Sequence, residues 1–221
     1  MVLGIYGAGG LGVEYCVLAT AVNERAQRWN RIVFVDDTLE KDGTTLIDLP
    51  VMSFSRAVEA FGKDGIEFII ALGEPAHKEA LFRKLIGADC EVTSLIHPDV
   101  KLAPEFAYGK GVVIHGDNST PPCSSYGNNV LIQGNTVTGH NVNLGDNVTI
   151  SSLVFVGGNV TVGKNTYIGP SSCIRNGLTI GENVIIGMGA VVTKDVPDNA
   201  VVYGNPAKIM RYNESGRVFS K

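Results

Sequence analysis

From about residue 94 the chain can be cut every 18 residues, and the pieces align without a gap. They read SLIHPDVKLAPEFAYGKG, VVIHGDNSTPPCSSYGNN, VLIQGNTVTGHNVNLGDN, VTISSLVFVGGNVTVGKN and TYIGPSSCIRNGLTIGEN, followed by VIIGMGAVVTKD. One position recurs every six residues from Ile96 to Val192; of its 17 occupants 13 are Ile, Leu or Val, the others being Tyr108, Thr120, Tyr126 and Thr138. Gly often follows it, as in Leu144-Gly145, Val162-Gly163 and Ile180-Gly181. A period of six is neither the 3.6 of a helix stripe nor the 2 of a simple strand. It fits three short strands per turn, each ending at a corner, with one apolar side chain per side pointing into a triangular core. Gly and Asn suit corners that need tight or left-handed backbone. Such coils bury their cores only by stacking, and about six at ~4.8 Å spacing give a prism roughly 29 Å tall.

The first ninety residues follow another rule. VLGIYGAGGLG reads as strand, glycine turn and helix start, with Gly7, Gly9 and Gly12 in GxGxxG spacing. Helix pattern runs to about Arg28, and a second strand, RIVFVDD, ends in Asp36 and Asp37. A helix from about Phe54 to Phe61, a strand GIEFIIALG, a helix from Pro75 to about Ile86 and a strand at EVTSLI complete a βαβ series. That pattern predicts a parallel sheet with right-handed crossovers. Three segments follow: a Rossmann-like domain over 1–91, a β-helix over 92–205 and a tail over 206–221. The glycine turn aims backbone N–H groups and a helix N-terminus at an anion, and an acidic residue after the second strand suits a ribose or base. An NAD-dependent oxidoreductase would use the same signature. However, ninety residues hold about one mononucleotide half, which favours a single nucleotide, as in a nucleotide-sugar.

Composition narrows the classes. Charged residues make up 18%, the formal net charge is −4, and Lys and Arg are scattered, so the basic stripe of a nucleic-acid binder is absent. No apolar run approaches the ~18 residues of a membrane span. The N-terminus lacks a basic stretch before its apolar one and reads as a first strand rather than a signal peptide. Cys16, Cys90, Cys123 and Cys173 have no CxxC spacing, which suits free thiols in a reducing cytoplasm.

The chain has four histidines. His77 falls on the Pro75 helix as a solvated residue. His97 and His115 are 18 apart, one position after the ladder, and form a column. His140 stands alone in Thr138-Gly139-His140-Asn141, beside a repeat edge with small neighbours. A β-helix zinc site needs three ligands with two close in sequence; no such spacing exists, so no metal is expected.

GAGGLG followed by VDD, then IHPDV, TGHNVNLGDNV and IGENVIIGMGAVVTKDVPDNAVVYGNPAKI, resembles the bacterial sugar N- and O-acetyltransferases of the PglD/NeuD type, over roughly residues 3 to 211. The resemblance implies a left-handed parallel β-helix, a homotrimer and acetyl-CoA as acyl donor. It also implies that His140, in the GH motif, is a general base removing a proton from a sugar amine as that amine attacks the thioester. Imidazole suits the task because it titrates near neutrality. Gly157-Gly158 stands at the family's oxyanion position. Gly158, Pro170, Met188, Pro206 and Lys208 carry over as coenzyme contacts. The acceptor nucleotide would lie on Gly9, Gly10, Gly12, Asp36 and Asp37, with Lys78 where the family often has a phosphate-contacting Arg. This chain departs twice: Asn141 replaces the usual Asp or Glu that orients the base, and Thr149 replaces a second histidine near the acyl donor.

The leading expectation is N-acetylation of a nucleotide-linked amino sugar in glycan synthesis. O-acetylation of a sialic-acid-like sugar is the near alternative. A non-catalytic trimeric scaffold or nucleotide-sugar sensor is the distant one, permitted by Asn141.

Overall fold

The computed structural model describes residues 1–214 and 216–219. Two architectures meet near residue 93. The first is an α/β unit built from β1 (Val2–Tyr6), α1 (Gly10–Ala26), β2 (Arg31–Val35), β3 (Thr45–Leu46), β4 (Leu49–Met52), α2 (Phe54–Phe61), β5 (Ile66–Ile70), α3 (Pro75–Gly87) and β6 (Glu91–Val92). The strand order is β3-β4-β2-β1-β5-β6, parallel throughout except for the β3–β4 hairpin. That hairpin had no clear signal; Ile47 and Asp48 turn it with positive φ, which an Ile seldom adopts. The segment EVTSLI divides: Glu91–Val92 completes the α/β sheet and Leu95–Ile96 begins the prism. The boundary expected after residue 91 therefore cuts β6, and the sheet ends at Val92.

The second architecture is a parallel β-helix, left-handed as in the hexapeptide-repeat fold. One side stacks Leu95–Ile96, Val113–Ile114, Leu131–Ile132, Thr149–Ile150, Tyr167–Ile168 and Ile185–Ile186. The second stacks Val137–Thr138, Phe155–Val156, Cys173–Ile174 and Val191–Val192, and the third Ala107–Tyr108 through Thr179–Ile180. Partners in adjacent coils lie 18 residues apart, as in Ile132 against Ile150. Every sixth residue from Asp117 to Gly189 has positive φ, and most of these corners are Asn, a residue tolerant of that conformation.

Each side contributes two inward residues rather than the single one expected. Val130 and Ile132, Val148 and Ile150, and Val160 and Val162 are all buried, because residues two apart on a strand face the same way. The ladder fails only in the first coil, where Leu102 is 50% and Tyr108 43% exposed. No coil lies beneath them, and Phe106 closes that end against Tyr126, ring centroids 4.8 Å apart. At the other end the tail is itself a strand: Lys208–Tyr212 runs antiparallel to Ala200–Tyr203.

The α/β unit packs on the first side of the prism. Leu3, Ile5, Leu18 and Phe34 share one apolar cluster with Leu95, Val113 and Leu131. Among the described residues no helix is long and apolar enough to cross a membrane.

Candidate functional site

His140 sits at the corner between the second and third sides, exposed, immediately before the left-handed Asn141 (φ 57°). The corner geometry accounts for Asn141: it occupies the register that holds Asn at most corners. Its amide oxygen accepts from His140 Nδ1 at 2.7 Å. That bond places the ring proton on Nδ1 and leaves the Nε2 lone pair open, the tautomer a general base requires. Gly158 stands one coil beyond; a Cβ there would lie 2.9 Å from His140 Nε2, so the ring rests where only glycine leaves room. The two glycines also differ as donors. Gly157 N–H is bound to Ile174 O at 2.9 Å, whereas Gly158 N–H has no acceptor among the described residues.

The other coenzyme positions are spread over the prism. Met188, 75% exposed, and Pro170 occupy the corner between the first and second sides, away from the His140 corner. Pro206 follows a cis bond from Asn205, and Lys208 opens the tail strand. One protomer does not bring these residues together with His140.

The nucleotide positions converge better. β1 lies between β2 and β5, so the chain reverses direction of winding beside it, and a crevice opens outside the carboxyl ends of these strands. A cavity of about 300 Å³ there is lined by Tyr6, Gly7, Asp36, Asp37, Thr38, Leu72 and Leu81. Gly7 has φ +124°, and a Cβ on Gly12 would meet Gly7 O at 2.1 Å; these two glycines bring helix and turn together. Gly9 and Gly10 differ, since a Cβ on either meets nothing within 4 Å. Their open surface admits a ligand at the start of α1, where N–H groups lack helical partners. Asp36 accepts from Ala8 N at 3.0 Å and from Lys41 Nζ at 2.7 Å. Burial raises its pKa, but Lys41 and the Thr38 and Ala8 hydrogen bonds outweigh that and hold it at about 2. Asp37 accepts from Lys84 Nζ at 2.5 Å and from Tyr6 OH.

Two expected contacts are overturned. Lys78 does not reach the crevice; it is 2% exposed, with Nζ 3.1 Å from Thr149 Oγ1. Thr149, 3% exposed on the first side of the prism, is covered by that lysine rather than placed at the His140 corner. The physical reason lies in the helix wheel: Lys78 shares a face with the buried Leu85 seven residues on. Lys84 and Lys41 are the cations at the crevice. The wheel carried the signal for Lys84, because it falls beside Leu81, which lines the cavity. No comparable signal marked Lys41, in a short turn.

His77 is exposed, as expected. His97 and His115 form the expected column, and with Glu14, Val17, Leu18 and Ala21 they line a cavity of about 360 Å³ beneath α1. Burial, and then His97, push the His115 imidazole below its ordinary pKa. Among the described residues no group of three or more His, Cys, Asp or Glu is placed to hold a metal.

Comparison with known proteins gives a consistent picture. Residues 2–85 match the PglD N-terminal domain, and residues 159–194 match the bacterial transferase hexapeptide of six repeats. No sequence among the curated proteins matches the chain significantly. The acetyltransferase domain of PglB from Neisseria gonorrhoeae, solved with acetyl coenzyme A, superposes with a TM-score of 0.86 at 28% identity, covering 95% of this chain and 98% of that one. PerB from Caulobacter crescentus, solved with CoA and GDP-perosamine, gives 0.82 at 26% identity, covering 96% and 98%. WeeI from Acinetobacter baumannii gives 0.84 at 28%, covering 95% and 100%.

Proposed function

We propose that this chain, a member of the hexapeptide-repeat sugar acetyltransferases with a PglD-type N-terminal domain, moves an acetyl group from acetyl-CoA to the amine of a nucleotide-linked amino sugar in the cytoplasm. The observation that carries this reading is the His140 edge. An imidazole with Nε2 open and Nδ1 held by Asn141 rests against Gly158, whose N–H has no acceptor among the described residues. The amine nitrogen attacks the thioester carbonyl carbon, the N–C bond forms, and Nε2 takes the proton the amine sheds. Negative charge on the carbonyl oxygen faces the Gly158 N–H. Collapse breaks the C–S bond and the thiolate leaves as coenzyme A, to which the imidazolium returns the proton. No acyl-enzyme is required. Asn141 orients the ring as a carboxylate would, but lacks the negative charge that steadies an imidazolium.

The acceptor's nucleotide lies in the crevice of Gly7, Gly9, Gly10, Asp36 and Asp37. Its similarity to PerB, solved with GDP-perosamine, supports an acceptor of that class. A homotrimer completes the donor groove: the Pro170–Met188 corner of one copy lies along the His140–Gly158 corner of the next. The outward face of the second side favours this, since Val137 is 59% and Phe155 47% exposed, an apolar strip suited to burial between copies.

His140→Ala should lower turnover by roughly 10²–10⁴ while calorimetric binding of acetyl-CoA persists. Unchanged turnover removes His140 as the base. A panel of UDP-, GDP-, dTDP- and CMP-linked sugars, with product mass and stability to base, identifies the acceptor. A base-labile product indicates an O-acetylated sugar, and binding of neither substrate indicates a scaffold.

A further inference from the structure

Lys78 carries its charged group inside the molecule and outside the chemistry above. Lys78 is 2% exposed, and among the described residues it pairs with no carboxylate. A lysine is seldom buried without a partner, because desolvating an ammonium is costly. Its Nζ donates to Thr149 Oγ1 at 3.1 Å and to Asn147 O at 3.4 Å. Asn147 closes the turn after the third-side strand of the coil that carries His140, and Thr149 opens the first side of the next coil. Asn147 is fixed in its turn, receiving Asn129 Nδ2 and donating to Asn165 Oδ1 at 3.0 and 2.9 Å.

We propose that Lys78 is a positioning residue that registers the nucleotide-binding unit on the coil carrying His140, so that acceptor placement depends on it and acetyl-CoA binding does not. The proposal rests on the acetyl-transfer reading. Helix α3 opens in the β5–α3 turn, where Leu72 lines the nucleotide crevice, and it ends beside Lys84 on Asp37. A fixed α3 therefore fixes the crevice. The surrounding charges are otherwise engaged. Glu74 accepts from Val218 and Phe219 N–H at 3.0 Å, and Glu79 holds Asn165 and Arg83. Lys84 is bound to Asp37.

Burial pushes the Lys78 amine down from 10.5 to about 7. The folded chain thus releases this proton near pH 7 while the unfolded chain keeps it to about 10.5. Stability must rise with pH between these values and lose that gain as pH falls towards 7.

Lys78→Met keeps the length and removes the donors. It should lower kcat for the nucleotide-sugar roughly tenfold and raise its KM, with the Kd for acetyl-CoA changed less than about twofold. The rise of wild-type Tm from pH 7 to 9 should be lost in the variant. Thr149→Val should show a smaller effect of the same kind and add little to Lys78→Met. Equal loss of acetyl-CoA affinity and turnover, or an unchanged Tm–pH slope, overturns the proposal, as do wild-type kinetics in both variants. If Lys78→Met does not fold, Thr149→Val keeps the amine and decides on kcat, the acceptor KM and the Kd for acetyl-CoA. The Tm–pH series and amide exchange along α3 need no acceptor. They report on Lys78 even if the sugar panel yields no substrate and the acetyl-transfer reading fails.

Discussion

In the prism, Ile132, Ile150, Ile168 and Ile186 repeat one residue at one register along one side. In the α/β unit, Leu3, Tyr15, Phe34, Phe68 and Leu85 come from different helices and strands, and no two occupy equivalent places. Both cores are buried, yet they specify position differently. A coil takes its backbone hydrogen bonds from the residues of its neighbours, as Gly139 N does from Val156 O, so a side chain's place follows from its number modulo 18. A helix on a sheet is placed by packing, and which face it buries depends on everything it touches. Chemistry carried by the prism is therefore addressed locally, and chemistry carried by the α/β unit must be aligned through a seam.

Core truncation tests whether the two regions stand or fall together. Phe34→Ala should cost about 3–5 kcal/mol and Ile168→Ala about 2–5 kcal/mol, read by denaturant unfolding. Lys78 and the shared apolar cluster join the regions, so each variant should show one transition with both halves lost together. Two separated transitions would show that the seam does not couple them.

Glycines at the two candidate sites sharpen the contrast. Gly158→Ala should reduce kcat about tenfold or more, because the added Cβ stands 2.9 Å from His140 Nε2. The same change at Gly9 meets nothing within 4 Å, so it should leave kcat and raise only the acceptor KM. Steady-state kinetics with each substrate varied would separate the two, and equal effects would erase the distinction.

The smallest effect concerns acid. Asp36 is held at about 2 against an ordinary value of 3.8, so its contribution is present above about pH 4 and disappears as pH falls through 2. Asp36→Asn should abolish that part of the acid-induced loss in Tm. It should leave the Lys78-dependent slope between pH 7 and 9 intact, because the two groups sit in different parts of the molecule.

The ladder from Ile114 to Val192, the corners and the edge position of His140 were legible because six-residue periodicity is a local property. So was the glycine turn, whose geometry is confined to residues 7–12. The second inward residue of each side was legible in principle, since Val148 and Val160 precede Ile150 and Val162 by two. The β3–β4 hairpin was not, because its turn at Ile47-Asp48 uses residues with no turn signature. Nor was the difference between the two glycine amides, of which Gly157 N–H is taken by Ile174.

Lys78 marks where local reading stops. The family resemblance suggested a cation near a phosphate, and a helix wheel could turn it inward, but nothing in the chain order says that Thr149 and Asn147 wait for it there. Repeat register and turn chemistry are encoded in neighbours along the chain and survive any arrangement of the whole. Whether a lysine meets a ligand or a coil of the same molecule depends on which surfaces pack. That is settled by the apolar area closed between α1, the sheet and the first side of the prism, to which no short stretch of sequence has access.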